Sequence, residues 1–195
     1  MKKLAVIFLL CALALATAAA DGYRGAVPMD QVYQSPSAGL ELNFTHRPFY
    51  GGQKLNVYSG PGREYYRGSN GYAKANTDGE VHAAGKENGW ALVMYETSGG
   101  SVRVGYVDMD EFKYDTKILK LKELNFAYRS AVISSDCILT DDPALNNRDL
   151  GYLYAGTEVT YLASYYKHRS WAYIETWLEG RPIRAFVPMN CLNVQ

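Results

Sequence analysis

The side chains that could do chemistry in this chain of 195 residues are few and far apart. No histidine among His46, His82 and His168 is paired in the sequence with a serine or cysteine that it could activate. A nucleophile needs a base within hydrogen-bonding reach, so the sequence predicts a protein that is not an enzyme. A zinc site made of Cys137, Cys191 and His168 would lack a fourth ligand and the short cysteine spacing typical of zinc. We therefore expect neither a metal nor another cofactor.

Tyrosine is the side chain that the sequence has in excess, with seventeen copies. Aromatic rings in a loop can stack on a peptide or a sugar while their hydroxyl groups stay in water. Any single ring could instead cap the interior of a small β fold. Four lie in or just after the stretch LNVYSGPG, and we predict that together they bind a ligand: Tyr58, Tyr65, Tyr66 and Tyr72.

Three carboxylates, Asp108, Asp110 and Glu111, follow a strand-like stretch closely. Like charges in a terminal turn are usually solvated. We expect them to play no part in a site.

The first twenty residues predict export. Lys2 and Lys3 precede an apolar run, and small residues continue to Ala20, as in a secretory signal peptide (1–20). We expect no membrane span after cleavage, because no second apolar run is long enough. The remaining chain carries 18 basic and 20 acidic residues and has no basic run, so bulk charge predicts no binding to nucleic acid.

The elements that must position these residues are short strands. Alternating apolar residues in EVHAA (80–84), WALVMY (90–95) and VRVGYV (102–107) predict half-buried strands. Asn88-Gly89 predicts a tight type I′ turn between two of them. Residues 21–50 show no sustained period and are expected to form an irregular arm, with a strand near 42–45. The stretch 117–128 is predicted as linker plus strand.

The second half of the sequence repeats the first. SWAYIETW (170–177) matches GWALVMYE (89–96), and PIRAFVPMNCL (182–192) matches VRVGYVDMDEF (102–112). Trp90 and Trp171 occupy equivalent positions, which predicts core roles for both. Trp177 has no counterpart and is therefore a candidate ligand-binding residue. The stretch 165–169 is predicted to be a divergent loop.

The stretch LNVYSGPGREYYRG, followed by an Asn-Gly-Trp strand and by GYV before a closing turn, resembles the bacterial SH3-like (SH3b) domain family. CILTDDPALNNRDLGYLYAGTEVTYL is similar to a more divergent second copy. The resemblance implies an all-β fold of two tandem small SH3-like barrels. Its domains would be residues 51–113 and 131–193, joined by a linker at 114–130.

Cys137 and Cys191 are the cysteines that remain after signal cleavage. Export permits oxidation, so a disulfide is the first expectation and a free reactive pair the second. The SH3b resemblance implies that the first and last strands of the second barrel are close, which would bring the two cysteines together.

The SH3b resemblance also implies a function. SH3b domains accompany cell-wall enzymes, so we expect a secreted, envelope-associated protein that recognises peptidoglycan peptides through the tyrosine-rich loop. The alternative is an extracytoplasmic scaffold that binds another envelope protein.

Overall fold

The fold is built from strands, as predicted. The computed structural model describes residues 39–47, 49–112, 120–144, 149–167 and 169–195. The predicted signal peptide, residues 21–38 of the predicted arm, residue 113 of the predicted first domain and residues 114–119 of the predicted linker lie outside this part. Thirteen strands occupy most of the described chain, and its helical segments are single turns. None of the described helices is long and apolar enough to cross a membrane.

The N-terminal unit (49–112) contains a two-stranded and a three-stranded sheet. Its strands, all antiparallel to their partners, are β2 (Lys54–Asn56), β3 (Lys74–Asn76), β4 (Val81–Glu87), β5 (Trp90–Glu96) and β6 (Val102–Asp108). A 3₁₀ turn, Met109–Glu111, follows the last strand.

The C-terminal unit (129–195) forms one sheet in the order β13-β7-β10-β11-β12-β8-β9, to which β1 (Leu40–Glu41) of the arm adds. Its strands are β7 (Arg129–Ile133), β8 (Cys137–Thr140), β9 (Asp149–Leu153), β10 (Glu158–Lys167), β11 (Arg169–Leu178), β12 (Arg181–Pro188) and β13 (Leu192–Val194). A 3₁₀ turn, Met189–Cys191, precedes the last strand.

The predicted repeat is visible in the strand register. In the N-terminal unit Trp90 pairs with Asp108 and Leu92 with Tyr106. In the C-terminal unit the equivalent pairs are Trp171 with Pro188 and Tyr173 with Phe186. Each unit thus contains the same antiparallel meander, β4-β5-β6 or β10-β11-β12, followed by a 3₁₀ turn.

The turn between β4 and β5 has the predicted geometry. Asn88 and Gly89 have φ values of 50° and 81°, the positive angles that a type I′ turn requires at both central positions. The connection fixes the register of the Trp90 strand.

Alternate residues of the meanders pack into different apolar clusters. Ala91 and Val93 of β5 belong to the core of the N-terminal unit, whereas Leu92 belongs to a junction cluster that also contains Tyr173 and Phe186. The side chains of β5 therefore alternate between two faces, as half-buried strands require. Both faces are buried, however, because the C-terminal unit covers the face that an isolated barrel would leave to solvent.

Two local predictions were wrong. The strand of the arm is β1 (Leu40–Glu41), which pairs in parallel with β10, and not residues 42–45. The described residues of the stretch 165–169 belong to the β10–β11 hairpin instead of a divergent loop, and Tyr165 pairs with Trp171. Tyr165 packs edge-to-face on Phe44 with ring centroids 5.6 Å apart. Both rings belong to the junction cluster, and their burial stabilises a hairpin that extends to Tyr165.

Candidate functional site

The first tyrosine of the predicted binding loop is held within the N-terminal unit. The Tyr58 ring lies edge-on to Trp90, with centroids 5.5 Å apart, and the Arg67 guanidinium lies 5.2 Å from its centre. The backbone of Tyr58 pairs with that of Tyr106 in both directions, at 2.9 and 2.6 Å. Gly105 permits this approach, since an added Cβ would lie 2.8 Å from the Tyr58 carbonyl oxygen. Tyr58 is thus a packing residue.

The next two tyrosines of the loop contact the C-terminal unit. The Tyr65 hydroxyl donates a hydrogen bond to Glu175 Oε2 at 2.9 Å. The Tyr66 amide donates to the carbonyl oxygen of Pro182 at 2.8 Å, and its side chain packs against the C-terminal core. Both residues therefore join the two units.

The other two predicted ligand-binding residues lie apart from this contact. Tyr72 is 77% exposed at the end of the loop. Trp177 is half-buried on β11, opposite Pro182, and its indole nitrogen has no hydrogen-bond partner among the described residues. The structure therefore does not bring the five predicted residues into one surface.

A buried ionic network centred on Arg184 of β12 joins the units. Its Nη1 atom lies 2.5 Å from Glu87 Oε2, and its Nε atom lies 2.7 Å from Glu175 Oε2. The hydroxyl of Tyr106 accepts a hydrogen bond from Nη1 at 2.9 Å, and that of Tyr128 donates one to Glu87. Glu87 and Tyr106 belong to the N-terminal unit and Arg184 to the C-terminal unit, so the network connects the two units directly.

The electrostatics of the network favour a charged arginine and neutral phenols. Burial alone would lower the pKa of Arg184, but Tyr106, Glu87 and Glu175 raise it well above its ordinary value. Burial, opposed by Arg184 and reinforced by the hydrogen bond to Glu87, raises the pKa of Tyr128 to about 12.

A second buried ion pair lies between the units. Arg103 Nη1 of β6 is 2.7 Å from Asp141 Oδ2, and the Val104 amide donates to the Asp141 carbonyl oxygen at 2.8 Å. Burial raises the pKa of Asp141, although Arg103 opposes the shift. Two ion pairs and an apolar cluster thus position the units as one body.

An open groove of about 560 Å³ lies on the N-terminal unit, away from the sequence-predicted residues. Its walls are residues 51–55 on one side and Asp110 and Glu111 of the 3₁₀ turn on the other. We call it the Gly51 groove. Leu55, which also lines the groove, is buried.

The first wall of the Gly51 groove is held by the turn after β3. The Gly52 amide donates to Asp78 Oδ1 at 2.6 Å, and the Gln53 amide donates to Thr77 Oγ1 at 2.9 Å. Gly52 has a φ of 86°, which favours glycine. The side-chain oxygen of Gln53 is buried and accepts no hydrogen bond from the described residues.

The second wall is held by side-chain contacts of Asp108 and Glu111, contrary to the expectation that these two carboxylates are solvated. Asp108 Oδ1 accepts from the Asp110 amide at 3.0 Å, and its Oδ2 atom lies 3.0 Å from Arg63 Nη2. Glu111 accepts from the side-chain amide of Asn56 at 3.1 Å. Asp110 is exposed. The groove therefore presents two carboxylates opposite the exposed side chain of Lys54.

The C-terminal unit has a comparable groove of about 550 Å³ beside its own 3₁₀ turn. It is lined by Ser170, Trp171, Pro188, Asn190 and Cys191. No charged side chain is among these residues. The Gly51 groove is thus the better candidate for a charged ligand.

The two cysteines lie in the core of the C-terminal unit. Cys137 begins β8, and Cys191 ends the 3₁₀ turn before β13. Both are free thiols in the structure. Burial, with smaller contributions from charge repulsion and a hydrogen bond with Cys191, raises the pKa of Cys137 to about 12. The side chains are therefore neighbours, and the disulfide stays a prediction.

Neither a scan of protein-family models nor searches of curated proteins and of solved structures match this chain. The similarity to SH3b domains therefore rests on the quoted motifs alone.

Proposed function

We propose that the protein is an exported, non-enzymatic binding protein of the bacterial cell envelope that recognises peptidoglycan peptides in the Gly51 groove. The observation that carries the proposal is the presence of Lys54 and of the carboxylates of Asp110 and Glu111 around one groove. A short peptide with a free ammonium and a free carboxylate has the complementary charges. The SH3b resemblance supplies the class of peptide, and the groove supplies the groups that bind it.

The size and polarity of the Gly51 groove support a small peptide ligand. Ligand pockets commonly measure roughly 300–1,000 Å³ and combine an apolar surface with a few polar groups that fix orientation. The methylene stem of the exposed Lys54 supplies apolar surface. Gly51 and Gly52 add no side chains that would obstruct the ligand backbone.

Calorimetric titration with a synthetic stem peptide tests the assignment. The peptide carries one free side-chain ammonium and a free C-terminal carboxylate. We expect Lys54→Glu to weaken binding at least about tenfold, because it replaces attraction to the carboxylate by repulsion. Lys74→Glu on β3 is the matched control, since Lys74 is also an exposed lysine of this two-stranded sheet but does not line the groove.

Peptides with one charged group blocked show which residue of the groove binds each charge. Amidation of the peptide carboxylate is expected to remove the difference between wild type and Lys54→Glu, and acetylation of the ammonium to remove the effect of Asp110→Asn. Equal affinity of all peptides for all variants would refute the groove as the site.

The second candidate function is an extracytoplasmic scaffold. It is favoured by the exposed tyrosines Tyr152 and Tyr154 on the C-terminal unit. Pull-down from an envelope extract separates the functions, because a scaffold keeps its partner after the wall is digested and a wall-binding protein does not.

A further inference from the structure

One end of the sheet of the C-terminal unit is formed by β9. Among the described strands, β9 pairs with β8 alone, in antiparallel register. A strand in this position directs one row of backbone N–H and C=O groups away from the sheet. Such an edge can accept a further strand from another chain.

The exposed surface along this edge is aromatic. Tyr152 and Tyr154 are 62% and 69% exposed. Residues two apart in extended chain point to the same side, so the two rings stand beside each other. The Tyr152 hydroxyl donates to Asp149 Oδ2 at 3.2 Å, which connects the aromatic surface to a carboxylate. Natural edges are commonly protected by lysine or proline, and 149–154 contains neither.

The charge around the edge is negative. Asp149 at the start of β9 and Asp136 before β8 are both exposed. Asp136 Oδ1 accepts from the Ala155 amide at 2.8 Å, which places this carboxylate beside the end of β9. A partner strand that complements this surface carries basic side chains.

We propose that β9 is a docking edge for an extended, lysine-bearing segment of another exported protein, which adds to the sheet as a further strand. Its backbone pairs with β9, its lysines meet the carboxylates at the two ends, and its aliphatic parts pack on the two tyrosines. This surface lies on a different unit from the Gly51 groove, so the inference goes beyond the proposed wall binding and does not depend on it.

The test uses defined peptides and amide NMR shifts of the isotope-labelled protein recovered after export. The probe is an acetylated and amidated eight-residue peptide of alternating lysine and valine. One comparison peptide replaces lysine by glutamate, and another carries N-methyl groups on alternate amides, which block strand pairing. We expect the lysine peptide to shift amides of residues 149–154 and the other two to bind more weakly.

Variants connect the binding to the tyrosines. Tyr152→Ala combined with Tyr154→Ala is expected to raise the Kd of the lysine peptide at least about fivefold, through the lost aromatic contacts. Tyr72→Ala, at an exposed tyrosine of the other unit, should leave the Kd unchanged.

Several outcomes would overturn the proposal. They are shifts that map to another surface, equal binding of the N-methylated or glutamate peptide, and absence of any shift at millimolar lysine peptide. Dimerisation that protects the same amides without peptide would also overturn it, by assigning the edge to a second copy of the chain.

Discussion

Arg184 of the C-terminal unit and Glu87 of the N-terminal unit form a buried ion pair, with side chains that are 3% and 10% exposed. Glu175 completes the neutralisation of the guanidinium from the adjacent strand, at 2.7 Å. Because the pair connects strands of different repeats, the stability of each unit depends on the other.

Arg184→Met is expected to lower the free energy of unfolding by about 3–5 kcal/mol, because it leaves Glu87 and Glu175 buried without a countercharge. Urea denaturation measures the change. Adding Glu87→Gln and Glu175→Gln should restore part of it. The exposed pair of Arg47 and Glu80 is the control, and Arg47→Met should change stability by less than about 1 kcal/mol. Equal effects at both pairs would contradict the structural role of Arg184.

Substitutions of the tyrosines in the first loop should differ in how much they lower the free energy of unfolding. Tyr65→Phe removes the hydrogen bond to Glu175 and is expected to cost about 1 kcal/mol, whereas Tyr65→Ala also removes a half-buried ring and should cost about 3 kcal/mol. Tyr72→Ala, at an exposed position, should change stability by less than about 0.5 kcal/mol. Thermal unfolding measures all three. Loss of wall binding by Tyr65→Phe with unchanged stability would restore the loop as the binding surface.

Stability should fall in alkaline solution. Burial raises the pKa of Tyr106 and Tyr173 above the ordinary value and that of Tyr128 to about 12. The folded protein therefore binds these protons more tightly than the unfolded chain, in which the pKa of tyrosine is about 10. The stabilisation is complete below about pH 10 and is lost as the pH rises toward about 12. Urea midpoints across this range should decrease, and Tyr128→Phe should make the decrease shallower. A constant midpoint would contradict the burial of these phenols.

Oxidation of the cysteine pair can be measured directly from the mass of the protein. Cys137 and Cys191 are neighbours in the C-terminal core, so we expect exported protein to have a mass two hydrogens below that of reduced protein. Reduction should lower stability by about 4 kcal/mol in the chain-entropy account. In reduced protein, the raised pKa of Cys137 should make its alkylation slow at neutral pH. Two titratable thiols in native exported protein would contradict the predicted disulfide.

The strands of the meanders were predictable because successive side chains of a strand point to opposite faces, so apolar residues alternate along the sequence itself. Their burial on both faces was not, since residues 90–95 do not show that a second sheet covers them. One signal was present: Arg184 aligns with Val104, on the face that carries Tyr106 and its equivalent Phe186. A charged residue on an apolar face requires a buried partner, and the sequence could not identify Glu87 as that partner.

The candidate site was less predictable than the fold. The aromatic loop was visible in the sequence, but its use as a contact between units depends on the position of Glu175 and Pro182. The Gly51 groove forms only when folding brings residues 51–55 beside Asp110 and Glu111. From the sequence alone, Asp110 and Glu111 are expected in solvent, because their proximity in sequence does not reveal that residues 51–55 lie beside them.

Cosedimentation with purified cell-wall sacculi tests the central claim most directly. The account predicts that the wild-type protein and Lys74→Glu pellet with sacculi, and that Lys54→Glu stays largely in the supernatant. Wild-type protein that remains in the supernatant with sacculi of several wall chemistries would contradict the proposed function. Wild type and Lys54→Glu that pellet equally would contradict the Gly51 groove as its site.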